Sequence, residues 1–66
     1  MATTIDVSVV VPCYNVERWL DQALESLRAN DSAGLEFILV NDGSTDSTLS
    51  ILREFARRDS RFRVID

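Results

Sequence analysis

Two apolar, largely β-branched or aliphatic runs, Val7 to Val11 and Leu35 to Val40, flank a segment in which Val16, Trp19, Leu20, Ala23, Leu24 and Leu27 recur at helical spacing. This change of period constrains the fold more than any other feature. Side chains recurring three and four residues apart line one face of a helix. Runs that are apolar at nearly every position suit strands covered on both faces, as in a parallel sheet. A second helical pattern follows, with Leu49, Leu52, Phe55 and Ala56 on one face and Ile51 at its margin. Ser50, Arg53, Glu54 and Arg57 fall on the opposite, solvated face. From Arg61 to Asp66, Arg61 and Arg63 alternate with Phe62 and Val64, the period of a half-exposed edge strand whose charge discourages stray pairing. The order predicts a βαβαβ unit of the α/β class, a three-stranded parallel sheet with two helices and right-handed crossovers. With the first strand apolar and the third charged, the expected spatial order is third, second, first.

Local signals place the boundaries. Pro12 is expected to end the first strand, and Asn15 to cap the first helix through its side-chain oxygen. Glu17 and Asp21 lie early in that helix and Arg28 late, as the helix dipole favours. Trp19 is expected in the core with the rest of its stripe. Asn30, Asp31, Ser32 and Gly34 read as a loop, and Asp59-Ser60 as the break before the third strand.

Size is the difficulty for a chain of 66 residues. A domain of this length buries only about 60% of its unfolded surface and is marginal unless something else supports it. Cys13 is the sole cysteine and histidine is absent, which leaves no intrachain disulfide and none of the usual zinc spacings. The first strand would keep one apolar, uncharged edge, so self-association through that strand is expected. The net charge is -4, with seven arginines and no lysine. No basic stripe is present to neutralise phosphates, so nucleic acid is not expected as a partner. No apolar run approaches the length of a transmembrane segment, and Met1 to Asp6 has neither the basic flank nor the apolar core of a signal peptide. The expected location is cytoplasmic, or the cytoplasmic face of a membrane in a longer protein.

The junction Val40-Asn41-Asp42-Gly43-Ser44-Thr45-Asp46 carries the chemistry. A strand ends at an acid–glycine pair, and a Ser/Thr-rich helix start follows. In open α/β sheets, ligands bind outside the carboxyl ends of the strands. Asp42 supplies an acceptor, Gly43 allows close backbone approach, and helix-start amides are donors.

Together with Val7-Ser8-Val9-Val10-Val11-Pro12-Cys13-Tyr14-Asn15, this junction resembles the opening of the family-2 glycosyltransferases, inverting enzymes with the GT-A nucleotide-sugar fold. The likeness runs from about Val7 to the final strand. It implies that residues 1–66 are the N-terminal nucleotide-binding portion of a glycosyltransferase domain. The whole enzyme would move a sugar from a UDP- or dTDP-linked nucleotide-sugar donor to a hydroxyl acceptor with inversion. By the same resemblance Asp42 accepts from N3–H of uracil or thymine, and Tyr14 lies against the base. Pro12 and Cys13 line the pocket through backbone, and Gly43 and Glu17 are further candidates, Glu17 without an assigned role. Asn41 replaces the first Asp of the family's Asp-Asp-Gly-Ser pattern. The resemblance also implies a divalent cation, manganese or magnesium, and a general base, both held by residues outside these 66. The chain alone is then expected to recognise the base without transferring sugar.

Each residue also has a plainer reading. Asp42 suits the turn before Gly43, and Tyr14 could pack locally. Cys13 suits a buried site, and Ser44, Thr45 and Asp46 suit helix caps. Arg57, Arg58, Arg61 and Arg63 read as solvated faces. The rival function is a non-catalytic nucleotide-binding or assembly module. An unrelated doubly wound nucleotide binder is disfavoured, since neither Gly-x-Gly-x-x-Gly nor a P-loop follows the first strand.

Overall fold

The computed structural model describes residues 5–30 and 34–66, which fold as β1 (Val7–Cys13), α1 (Glu17–Arg28), β2 (Leu35–Asn41), α2 (Thr48–Arg58) and β3 (Phe62–Ile65). Of the loop expected between α1 and β2, Asp31 and Ser32 lie outside the described residues, as do Met1 to Thr4 at the N-terminus. The three strands are parallel, in the spatial order β1-β2-β3, as the charge difference between the outer strands implies. In register, Val9 faces Phe37, Val11 faces Leu39 and Cys13 faces Asn41, while Phe62 and Val64 lie beside Phe37 and Leu39.

Strand alternation sorts these side chains onto one face, and that face makes the core. Cys13, Phe37, Leu39 and Phe62 are buried there with Leu20 and Leu24 of α1 and Leu52 and Phe55 of α2. The Phe37 and Phe62 rings stack at 4.7 Å between centroids, and Phe55 tilts against Phe62 at 6.1 Å. Such pairs contribute about 0.5–1.5 kcal/mol beyond the area they bury.

The opposite face differs from the expectation of strands covered on both sides. Val10 and Ile65 are exposed, and Ile38 and Val40 are half-buried. Two successive crossovers of the same hand, stepping the same way along the sheet, put both helices on the same face. Glu36 is the exception on the uncovered side. It is buried, and its carboxylate lies 3.9 Å from the Arg63 guanidinium.

Three local expectations are also corrected. β1 continues through Pro12 to Cys13. The carbonyl of Cys13 points toward β2, where it accepts from Asp42 N–H at 2.9 Å. By alternation the amide position of Pro12 faces the free edge, where a missing N–H costs no ladder bond. Trp19 is 61% exposed rather than core, and Ala23 is exposed too. The buried line on α1 is Leu20 and Leu24, flanked by half-buried Val16 and Leu27. At about 100° per residue, Trp19 falls roughly a quarter-turn to one side of Leu20. The guanidinium of Arg18 lies 5.7 Å from the Trp19 ring centroid.

Arg61 is the third correction. It precedes β3 and is part-buried. It donates to the carbonyls of Arg28 and Asn30 at the end of α1 and to the Asp59 carboxylate. Carbonyls at a helix C-terminus lack intrahelical donors, so a cation there satisfies them. The guanidinium also holds the Asp59 carboxyl below its ordinary range.

The packing leads to a contrast in stability. Leu24→Ala is expected to cost about 2–5 kcal/mol, because its side chain is fully enclosed between the helices and the sheet. Trp19→Ala is expected to cost less than about 1 kcal/mol. Urea denaturation of both variants checks the order.

Candidate functional site

The carboxyl ends of β1 and β2 lie side by side, and each leads through a short loop into a helix. The β1–α1 loop is Tyr14 to Val16, and the β2–α2 loop is Asp42 to Ser47. Neither helix is capped by a side chain at its own N-cap position, Val16 for α1 and Ser47 for α2. The two loops cap each other instead.

The bonds run almost residue by residue. Asp42 N–H donates to the Cys13 carbonyl, and Asn15 N–H donates to Ser44 Oγ at 3.1 Å. Thr45 N–H donates to Asn15 Oδ1 at 2.8 Å. Val16 N–H donates to Oγ1 of the fully buried Thr48 at 3.0 Å. Glu17 N–H donates to Asp46 Oδ2 at 3.3 Å, and Ser47 N–H donates to Glu17 Oε2 at 3.1 Å. Asp46 Oδ1 meanwhile accepts from Thr48 N–H at 2.9 Å, so one carboxylate spans the starts of both helices.

Asn15 is therefore not the N-cap of α1. Its φ is +49°, and this left-handed turn aims the side-chain oxygen across to Thr45. Asparagine tolerates that conformation better than most residues. Ser44, Thr45 and Asp46 are capping and turn residues, as their types suggest, with α1 as well as α2 as the helix they serve. Asn41 braces the start of the second loop. Its Oδ1 accepts from Ser44 N–H at 3.3 Å, and its Nδ2 donates to Asp66 Oδ1 at 2.8 Å.

The remaining candidates occupy the same end of the sheet. The side chains of Tyr14 and Asp42 are exposed, one from each loop, and Tyr14 is 59% accessible. Gly43 follows Asp42 at φ +72° with open space where a Cβ would stand. The left-handed φ accounts for glycine here. Pro12 is exposed at the end of β1. The Cys13 side chain is 2% exposed and turned into the core, with Sγ–H donating to the Val11 carbonyl at 3.5 Å. Burial pushes its thiol above the ordinary value. Cys13 can thus border the site through backbone alone. Glu17, whose role sequence alone left open, is the acceptor that holds Ser47. No local sequence signal gives this contact, because the two residues meet only when both strand ends are adjacent.

The zipper also sets which helix-start amides have protein acceptors. Helix-start amides are the usual donors to phosphate. Here the amides of Asn15, Val16, Glu17, Thr45, Ser47 and Thr48 all donate to protein oxygens. The Asp42 and Tyr14 side chains remain exposed on adjacent loops, one a hydrogen-bond acceptor and the other a flat aromatic ring. That pair suits a planar ring bearing an N–H. Among the described residues, no group of three or more His, Cys, Asp or Glu side chains is placed to hold a metal ion. These residues therefore do not fit the divalent cation that the resemblance implies. Among them, too, no helix is long and apolar enough to cross a membrane.

Comparison with known proteins gives the family. The family model described as "Glycosyl transferase family 2" matches residues 8–66. The chain belongs to glycosyl transferase family 2. Among its curated relatives, the uncharacterized glycosyltransferase EpsJ of Bacillus subtilis is 44% identical over 59 residues, 89% of this chain and 17% of EpsJ. The putative glycosyltransferase EpsH of the same organism is 46% identical over 89% of this chain and 17% of its own length. Glycosyltransferase GlyA of Streptococcus pneumoniae is 40% identical over 91% of this chain and 9% of its own length. The chain thus spans less than a fifth of each of these three relatives. The βαβαβ unit agrees with the N-terminal part of a GT-A fold.

The Asp46 bridge has a pH signature. Its hydrogen bonds, from the Thr48 side chain first and then from the Thr48 and Glu17 backbones, hold its carboxyl below the ordinary range. A lowered carboxyl pKa contributes stability that is complete above the unfolded value, about 3.9, and is lost as pH falls through the lower folded value. Asp46→Asn is therefore expected to be less stable than the parent at neutral pH and to lose less stability on acidification below about pH 4. Denaturant midpoints measured across that range check both effects.

Proposed function

We propose that this family-2 chain is the N-terminal nucleotide-recognising portion of a glycosyltransferase domain. In this reading it binds the base of a UDP- or dTDP-linked sugar, and the whole enzyme transfers that sugar to a hydroxyl acceptor with inversion. The observation that carries the reading is the outward placement of Asp42 and Tyr14 on neighbouring loops at the carboxyl ends of β1 and β2. An ionised carboxylate is an acceptor only, so it matches the imide N3–H of uracil or thymine and mismatches cytosine, which has no N3–H. The Tyr14 ring offers the base a face to stack on. Pro12 and the Cys13 backbone border the same opening, and Gly43 lets the ligand approach the loop closely. Base recognition rests with this segment, and the metal and general base of the transfer rest with other parts of the enzyme.

Calorimetry on the full-length protein that carries these residues tests the assignment. UDP is expected to bind more tightly than CDP. Asp42→Ala is expected to cost about 1–3 kcal/mol of UDP affinity, the range for a hydrogen bond to a charged group left unmade. Equal UDP affinity in parent and variant, or no preference for UDP over CDP, would contradict it.

The free edge of β1, with Val7 and Val10 exposed, supports self-association of the isolated 66-residue chain through that strand. Pairing there would satisfy open backbone groups, and a two-fold axis would make it antiparallel. Light scattering across a concentration series is expected to give at least a dimer's mass, and a folded monomer at every concentration would exclude it.

A further inference from the structure

We infer that Glu17 is a positioning residue for the base site, acting through the β2–α2 loop rather than by touching the ligand. The inference rests on the proposed role of Asp42. Glu17 stands in the first turn of α1, and its carboxylate reaches across to the N-cap of α2, where it accepts from Ser47 N–H at 3.1 Å. Its own amide donates back to Asp46 at 3.3 Å. Glu17 and the loop thus hold each other through two antiparallel contacts, one from side chain and one from backbone.

The consequence for Asp42 follows from the length of the loop. Between the end of β2 at Asn41 and the start of α2 at Thr48 lie six residues, Asp42 to Ser47. Asp42 is fixed at the strand side by its own amide on Cys13. The left-handed Gly43 gives the chain a soft point immediately after it. Downstream of that point Ser44 is held by Asn15 and by Asn41, Thr45 by Asn15, Asp46 by the Glu17 amide and Ser47 by the Glu17 carboxylate. Removing the Glu17 carboxylate releases Ser47 at the far end of the loop, so that Asp42 and Gly43 are held only through Cys13, Asn15, Asn41 and the Glu17 amide. The acid would then sample orientations away from Tyr14. Asn15 holds the middle of the loop, so Glu17 sets how closely the loop is held rather than whether it folds.

This role is distinguishable from general stabilisation. In the full-length protein, Glu17→Ala is expected to weaken UDP binding about 3- to 10-fold. Glu17→Gln, which keeps an oxygen that can accept from Ser47 N–H, is expected to restore most of that loss. In an Asp42→Ala background, Glu17→Ala is expected to change UDP affinity by less than about 2-fold, because residues acting through one another are not additive. Amide exchange at Ser47 is expected to quicken in Glu17→Ala while that of Leu24 and Leu39 stays slow. Unchanged UDP affinity in Glu17→Ala, or the same loss with and without Asp42, would overturn the inference. If the parent protein does not bind UDP, the base reading itself fails. The coupling is then judged by Ser47 exchange alone, and an unchanged rate there overturns it as well.

Discussion

The arrangement at the carboxyl end of the sheet depends on one constraint: two helices begin side by side, and neither carries a side-chain cap at its own N-cap position. The first N–H groups of any helix lack intrahelical acceptors, and a side chain at the N-cap ordinarily supplies one. In this chain α1 begins after a valine, and the acceptors come from the neighbouring loop. Each bond is partly exposed to water and is worth about 0.5–1.5 kcal/mol at most. Together they fix two loops that have almost no apolar anchor of their own. Thr48 is the buried centre of this arrangement, fully enclosed and bonded to Val16 N–H.

The same constraint shapes the chemistry. A helix N-terminus with free amides is an anion site, and two of them side by side would suit a diphosphate. The zipper assigns those donors to Ser44, Thr48, Asp46, Glu17 and Asn15. With these amides engaged, the proposed recognition of the base rests on the outward side chains, one acid and one aromatic ring. A glycine-rich phosphate loop works the other way, keeping its amides free for the ligand. The absence of such a loop after β1 and the occupied amides in the fold describe one strategy at two levels.

How much of this was legible in the sequence depended on range. Period and composition gave the elements and the strand order, because near-continuous apolar runs and helical stripes record burial directly. Strand alternation and the family resemblance together placed Pro12, Tyr14 and Asp42 at one end of the sheet. Trp19 is exposed: a helical stripe records which side is apolar, whereas the width of the buried line depends on neighbours. Asn15 has the residue type of a cap, and only the partner loop reveals that its oxygen points to Thr45. The covered and uncovered faces of the sheet are not distinguished by residue type, since Val9 and Val10 are the same residue in different environments. Arg61 looked solvated until the end of α1 was brought beside it. For Asn15, Glu17 and Arg61 the missing information was a contact between residues about thirty apart in the chain.

The most direct test is a crystal structure of the full-length protein with UDP bound. The expected result places uracil N3 about 2.7–3.2 Å from the Asp42 carboxylate, with the base against the Tyr14 ring. The Glu17–Ser47 and Asn15–Thr45 bonds remain closed. A structure in which the diphosphate displaces Asp46 and Glu17 from the helix-start amides, or in which uracil lies away from Asp42 and Tyr14, would contradict the central claim.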